Sequence, residues 1–169
     1  MINKRGGFTL IELLGVIVIL ALISLIAIPN TVAFIEGKKK ETFAGTAEMM
    51  LAKAKVFVTE NTEIVLPAND LDATLITLAH LRINSITKDV DGGYYDRDNS
   101  YVLITKINDE LVYYVTLVGS ERNVSLVRDG EITSDKVTSS PPEPLKTIDE
   151  TYTLDDGVVT VKNVYPVSE

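Results

Sequence analysis

The chain has no cysteine among its 169 residues. That excludes a disulfide framework, a thiolate nucleophile and any cysteine-ligated metal site. The absence fixes no compartment, but a domain outside the cytoplasm would have to hold together by packing alone. Histidine is scarce too, with His80 the single one. A Ser-His-Asp arrangement needs the imidazole beside a nucleophile, and nothing near His80 supplies one, so it reads as a core or half-buried helix residue. No glycine-rich phosphate loop is present. The common enzyme plans are therefore missing, and the expectation is a protein that is not an enzyme and has no cofactor.

Charge is missing from one long stretch. Leu13 to Ile35 is 23 residues, mostly Leu, Ile, Val and Ala, without a formal charge. About 20 such residues span a bilayer core of roughly 30 Å. A secretory signal peptide has a shorter apolar core, of ~7–15 residues, and a small-x-small cleavage site. The far end here, Pro29-Asn30-Thr31, offers no such site. An ordinary single-pass anchor fits the composition equally well. Lys4 and Arg5 flank one end and Lys38 to Lys40 the other, so the positive-inside rule leaves the orientation tied. Pro29 lacks a backbone donor and crowds the carbonyl four residues earlier, which predicts a kink or loosened turn over Leu25–Pro29. Such a defect is tolerated in lipid where neighbouring helices cover it.

One acid, Glu12, stands near the start of this apolar run. A carboxylate at the centre of a membrane helix costs ~2.5–3.5 kcal/mol on insertion scales, and less near an interface. It needs a partner, or it must snorkel to the interface. Past the run the helical pattern continues: Ile35, Phe43, Ala47, Met50, Leu51, Ala54 and Val58 share one face. The charges Lys38, Lys39, Glu41, Glu48, Lys53 and Lys55 lie largely on the other. The expected stop is Glu60-Asn61-Thr62. A helix from Phe8 to Thr59 is ~78 Å long at 1.5 Å per residue.

Residues 61–169 hold 19 acids and nine Lys/Arg, a net charge of −10, whereas residues 8–60 balance to zero. An acidic head repels phosphate backbones and anionic lipid, so direct nucleic-acid binding is not expected. Within the head, Asp70–Leu81 has an acidic first turn and apolar spacing that predict a short helix. Tyr101–Ile107 and Leu111–Val118, separated by Asn108-Asp109-Glu110, predict a hairpin. Val124–Arg128 before Asp129-Gly130 reads as a third strand, with Glu131–Thr133 continuing it. Ser139–Pro144, with three prolines, reads as a loop. Thr151–Leu154 and Val158–Val164 around Asp155-Asp156-Gly157 predict a last hairpin. The fold class is α+β: a long N-terminal helix, half membrane and half amphipathic, packed against an antiparallel β-sheet head.

One oxygen-rich segment bears on metal binding. Asp89, Asp91, Asp96 and Asp98 lie within ten residues, enough carboxylates to suggest Ca²⁺. The spacing is not that of the twelve-residue EF-hand loop, and turn chemistry alone accounts for Asp and Gly together. A solvated turn is the favoured reading, with no metal. Asn123-Val124-Ser125 has the glycosylation pattern but falls in a predicted strand.

Gly7-Phe8-Thr9-Leu10-Ile11-Glu12 resembles the cleavage and assembly signature of type IV prepilins and the related pseudopilins. The short leader and the phenylalanine look like the type IVa subclass. The resemblance covers about 30 residues; beyond them only the general plan of a long amphipathic helix and a β-rich head agrees. It implies a type IV pilin fold, a leader over residues 1–7 cut between Gly7 and Phe8 by prepilin peptidase, and N-methylation of the new N-terminal Phe8. It implies a hydrophobic transmembrane and assembly helix over 8–35, an amphipathic half over 36–60 and a globular head over 61–169. Glu12 becomes the fifth residue, the assembly glutamate, positioned to pair with the Phe8 ammonium of a neighbouring subunit. Pro29 becomes the twenty-second residue, where a proline is common. The implied partners are other pilins, prepilin peptidase, an assembly ATPase, a platform protein and the membrane. The chain would sit as a single-pass protein of the cytoplasmic membrane before assembly and in an extracellular pilus afterwards. A pseudopilin of a type II secretion or DNA-uptake machine shares the same signature.

Overall fold

A computed structural model describes residues 8–165. Residues 1–7, the expected leader with Gly7 of the expected cut, lie outside the described residues. The chain divides into two compact units, Met1–Lys38 and Lys39–Glu169. Helix α1, Leu10–Glu60, begins in the first and ends in the second.

In the first unit α1 is helical throughout, Pro29 included. Proline cannot donate to the Leu25 carbonyl. Two residues on, the Thr31 hydroxyl donates back to the Ala27 carbonyl at 3.0 Å. Every residue from Phe8 to Lys38 is exposed.

In the second unit α1 buries Phe43, Ala44, Ala47, Met50, Leu51 and Ala54. Apart from Ala44, which was not expected there, these match the expected apolar face, of which Ile35 is exposed and Val58 only half-buried. The helix stops at Glu60, where the Asn61 side-chain amide donates to the Phe57 carbonyl at 2.7 Å. The buried face packs on one side of a six-stranded sheet through Ile76, Val102, Ile104, Val115 and Leu117.

The strands are β1 Asp72–Thr77, β2 Tyr101–Ile107, β3 Glu110–Val118, β4 Asn123–Arg128, β5 Thr151–Leu154 and β6 Gly157–Tyr165. Their order is β4-β3-β2-β1-β6-β5. The first hairpin turns on Asn108 and Asp109, both left-handed at φ 51° and 68°, as a two-residue turn matched to strand twist requires. The last turns on Asp155-Asp156.

Two expectations are corrected. Asp70–Leu81 is not a helix: its centre is β1, and turns follow to Arg82. Strand β1 is buried on both faces, Ile76 in the core under α1 and Leu75 in the core on the opposite side of the sheet, and a strand buried on both faces carries no alternation to distinguish it from a helix. Leu71, left-handed at φ 66° just before it, also breaks any helical entry. The α+β class holds and the sheet is mostly antiparallel, with β1 and β6 pairing in parallel. Apolar patterning marks strands but carries no direction. Glu131–Thr133 does not extend β4; the Glu131 amide donates to the Arg128 carbonyl at 3.0 Å, and a 3₁₀ turn, Ser134–Lys136, follows.

The face of the sheet away from α1 has its own core of Leu75, Tyr101, Leu103, Tyr114, Tyr152 and Val161. The proline-rich loop crosses this face, held by tyrosines. The Tyr101 and Tyr152 hydroxyls donate to the Glu143 and Pro144 carbonyls at 3.1 and 2.9 Å. His80 is half-buried, as expected, but in a turn after β1; its ring sits between Phe57 and Tyr165 at 5.8 and 5.5 Å.

Candidate assembly site at the N-terminal helix

Leu10 is the first helical residue, which makes Thr9 the N-cap and Glu12 the third helical position. The Thr9 amide and hydroxyl both donate to Glu12 Oε2, at 2.8 and 2.7 Å. In return the Glu12 amide donates to Thr9 Oγ1 at 3.3 Å. This is a reciprocal capping box, which satisfies two of the amides a helix start leaves without partners. Glu12 therefore has a job within its own chain: it closes the helix that carries it. Thr9 was not singled out in the sequence, although Thr-x-x-Glu immediately before an apolar run is the signal for such a cap.

Phe8, the expected new N-terminus and methylation site, is 83 % exposed. From it the apolar surface runs uncovered along the first unit to Ile35. Among the described residues α1 is the one helix long and apolar enough to cross a membrane. Lipid or other helices must cover such a surface, since water would have to order around all of it.

The four aspartates considered for metal do not converge. Asp89 Oδ1 accepts the amides of Asp91 and Gly93 at 3.0 and 2.8 Å, and its Oδ2 accepts the Ser120 amide and hydroxyl, both at 2.6 Å. Asp91 takes Arg122 through Nε at 2.5 Å and Nη2 at 2.7 Å, and Lys39 Nζ at 3.1 Å. Asp96 caps its own turn through the amides of Asp98 and Asn99. Asp98 is exposed. Among the described residues no group of three or more acidic or histidine side chains comes together to hold a metal.

Asp89 and Asp91 instead form a latch of buried charge, joining α1 at Lys39, the β1–β2 loop and the β3–β4 turn. The Arg122 hydrogen bonds hold the Asp91 carboxyl below its ordinary range. Burial pushes the Asp89 carboxyl up, but the Ser120 hydroxyl and amide, with the Asp91 and Gly93 amides, outweigh it and leave it lowered. Close approach depends on two glycines. A Cβ on Gly93 would stand 2.6 Å from the Ser120 Cβ, and one on Gly119 would stand 2.7 Å from the Phe43 ring. Ser120 and Arg122 were invisible as partners in the sequence because they lie about thirty residues away. The Asn123 side-chain amide, in the glycosylation pattern, is buried and donates to the Ser140 carbonyl at 2.6 Å.

The family model for the prokaryotic N-terminal methylation motif matches residues 2–28. This is the signature of type IV prepilins and pseudopilins, and it marks the start of the chain as that of a type IV pilin-like or pseudopilin precursor. No curated protein and no solved structure matches the chain.

Proposed function

We propose that this chain is a structural subunit of a type IV pilus-like filament, cut after Gly7 by prepilin peptidase and assembled through its N-terminal helix. The observation that carries this reading is the methylation motif over residues 2–28, set on a helix whose apolar surface from Phe8 to Ile35 is uncovered. Cutting before Phe8 creates an α-ammonium, and N-methylation keeps its charge. Among the described residues Glu12 Oε1 makes no hydrogen bond, while Oε2 serves the Thr9 cap. The carboxylate thus presents one oxygen to the Phe8 ammonium of a neighbouring subunit without giving up its own helix start. A paired charge in an apolar environment fixes register more than it adds stability. Moving the helix from lipid to a bundle changes little apolar exposure, so packing and this pairing bias the equilibrium.

In this reading the chain has no catalytic role and no cofactor, and it works with other pilins, an assembly ATPase and a platform protein. Its head would be displayed at the cell surface, for adhesion, motility or surface interaction. The motif is common to pili and to the pseudopili of secretion and DNA-uptake machines, and the acidic head disfavours direct contact with DNA.

The test is to express the chain with a prepilin peptidase and read the mature N-terminus by mass spectrometry. N-methylated Phe8 is the expected result; an intact Met1, or a cut elsewhere, sinks the proposal. Antibody labelling of the head on sheared surface fibres then separates a pilus from a wall-confined pseudopilus.

A further inference from the structure

Asp91 fixes one end of the head to α1 close to the end of the apolar run. Lys39 Nζ lies 3.1 Å from Asp91 Oδ1 and belongs to the fourth residue after Ile35, the last of the uncharged run. Four residues span about 6 Å as helix and at most ~14 Å when extended. The headgroup layer on one side of a bilayer is about 5–8 Å deep. With the apolar run in a bilayer, whatever Lys39 holds stands at the headgroups or just above them. What it holds is the tip of the β1–β2 loop.

That tip is a small, braced hairpin. Lys88 and Tyr94 face each other across it as an antiparallel bridge. The Asp89 amide donates to the Gly93 carbonyl at 3.1 Å, and the Tyr95 amide to the Thr87 carbonyl at 3.0 Å. Tyr95 is buried, its ring 5.4 Å from that of Phe43. Successive side chains on an extended strand point to opposite faces, and Tyr94 is 68 % exposed. Lys88, directly opposite it, is exposed as well. An amphipathic ring beside an ammonium on an apolar stem is the chemistry that settles at a membrane interface.

Charge favours the same neighbour. Residues 61–169 carry a net charge of −10, which repels anionic lipid. Both acids of the hairpin are engaged, however: Asp91 by Arg122 and Lys39, Asp89 by Ser120. Lys88 makes no ion pair among the described residues. Glu121 of the β3–β4 turn stays exposed, so the ring carries the contact and Lys88 adds attraction to phosphate.

We propose that this hairpin is the footprint of the head on the bilayer before assembly, with Tyr94 seated in the headgroup layer and Lys88 against lipid phosphate. The inference rests on the membrane-anchored reading and not on cleavage. Strands β1 and β6 run parallel, so the start of β6 at Gly157 lies at the opposite end of the sheet from this loop and faces away from the membrane.

The native chain has no cysteine, so an introduced thiol is the one site of labelling. Full-length chain is reconstituted in vesicles of phosphatidylcholine and phosphatidylglycerol that carry a lipid with a headgroup nitroxide. A hydrophilic fluorophore is attached at Thr87→Cys, exposed beside the pair, or at Val158→Cys, exposed at the far end of the sheet as a control. Quenching at position 87 should exceed that at 158 at least roughly five-fold. In the Thr87→Cys chain, Tyr94→Ala with Lys88→Glu should lower it at least roughly three-fold, whereas Tyr94→Trp should preserve it. Equal quenching at the two positions overturns the proposal. So does quenching at 87 that the double variant leaves unchanged, because the proximity would then come from the tether alone. Carbonate extraction of the same vesicles tests the anchor separately. Chain that stays with the vesicles without the expected quenching loses the footprint and keeps the anchor; chain that carbonate strips away loses both.

Discussion

Arg122 grips Asp91 through two nitrogens, Nε at 2.5 Å and Nη2 at 2.7 Å, with the Asp91 side chain 1 % exposed. Lys39 of α1 completes the group at 3.1 Å. Removing one partner leaves a buried charge uncompensated, which costs ~3–5 kcal/mol where a buried pair is broken. Arg122→Ala is therefore expected to lower head stability by about that amount. The chain has seven tyrosines and no tryptophan, so urea unfolding of the full chain in detergent, followed by tyrosine fluorescence, reads it directly. A loss below about 1 kcal/mol would show that the pair behaves as an exposed one.

The same latch sets an acid limit. Asp89 and Asp91 both have folded values below the unfolded 3.8. A lowered carboxyl contributes stability that is complete above the unfolded value and lost as pH falls through the folded one. The melting temperature should hold steady from pH 7 to about 5 and fall below about 4. Asp91→Asn should flatten that acid limb while lowering the neutral plateau. An unchanged acid limb in this variant would move the acid sensitivity elsewhere.

Gly119 is needed for space. An added Cβ meets the Phe43 ring at 2.7 Å, the Arg122 carbonyl at 3.0 Å and an Asp89 oxygen at 3.1 Å. Phe43 is fully buried against Tyr95 at 5.4 Å, so the ring has nowhere to retreat. Overpacking of this kind costs ~1–3 kcal/mol. Gly119→Ala should destabilise by that much in the same urea experiment, while Gly45→Ala, in open space, should not destabilise the isolated subunit.

How far the sequence disclosed this molecule follows from the range of each signal. The helix and its buried face were legible because Phe43, Ala47, Met50 and Ala54 repeat locally. The strands from Tyr101 onward were legible from β-branched runs and from turns such as Asn108-Asp109. β1 was not, because Ala73 to Thr77 is buried on both sides and shows no alternation. The parallel pairing of β1 with β6 joins residues about ninety apart, and no local pattern encodes it. At the site, Gly7, Phe8 and Glu12 stand out in one short segment. Asp89 and Asp91 also stand out in the sequence, but their partners Ser120 and Arg122 become neighbours only through the fold.

Sheet curvature gives a further test. Strands β4 and β5 are opposite edges of the sheet, yet the β5–β6 turn reaches across. The Tyr114 hydroxyl on β3 donates to Asp156 Oδ2 at 2.6 Å, and Arg128 on β4 donates to the same oxygen at 3.0 Å. Burial and the nearby Asp156 raise the Tyr114 hydroxyl above its ordinary range, so it remains a donor into the alkaline range. A hydrogen bond to a charged group contributes ~1.5–3 kcal/mol. Tyr114→Phe should cost about that and speed amide exchange in β5 and β6 most; uniform exchange across the head would show that the contact does not hold the edges together.

At the N-terminus, Thr9 and Glu12 separate two roles of one carboxylate. Losing an N-cap side chain costs ~0.5–2 kcal/mol, so Thr9→Ala should speed exchange of the Glu12 amide, which donates to the Thr9 hydroxyl, whereas Thr9→Ser should leave it unchanged. Glu12→Ala removes the acid and its half of the capping box, and it is expected to be cut between Gly7 and Phe8 but to enter filaments poorly. Glu12→Gln retains an acceptor for the cap and removes the charge. If pairing with a neighbouring Phe8 ammonium drives assembly, Glu12→Gln should keep the slow amide exchange and still lose incorporation. If the carboxylate serves the cap alone, Glu12→Gln should assemble like the native chain, and the ion-pair mechanism fails. Sheared-fibre yield measured beside amide exchange reads the two roles separately in the same samples.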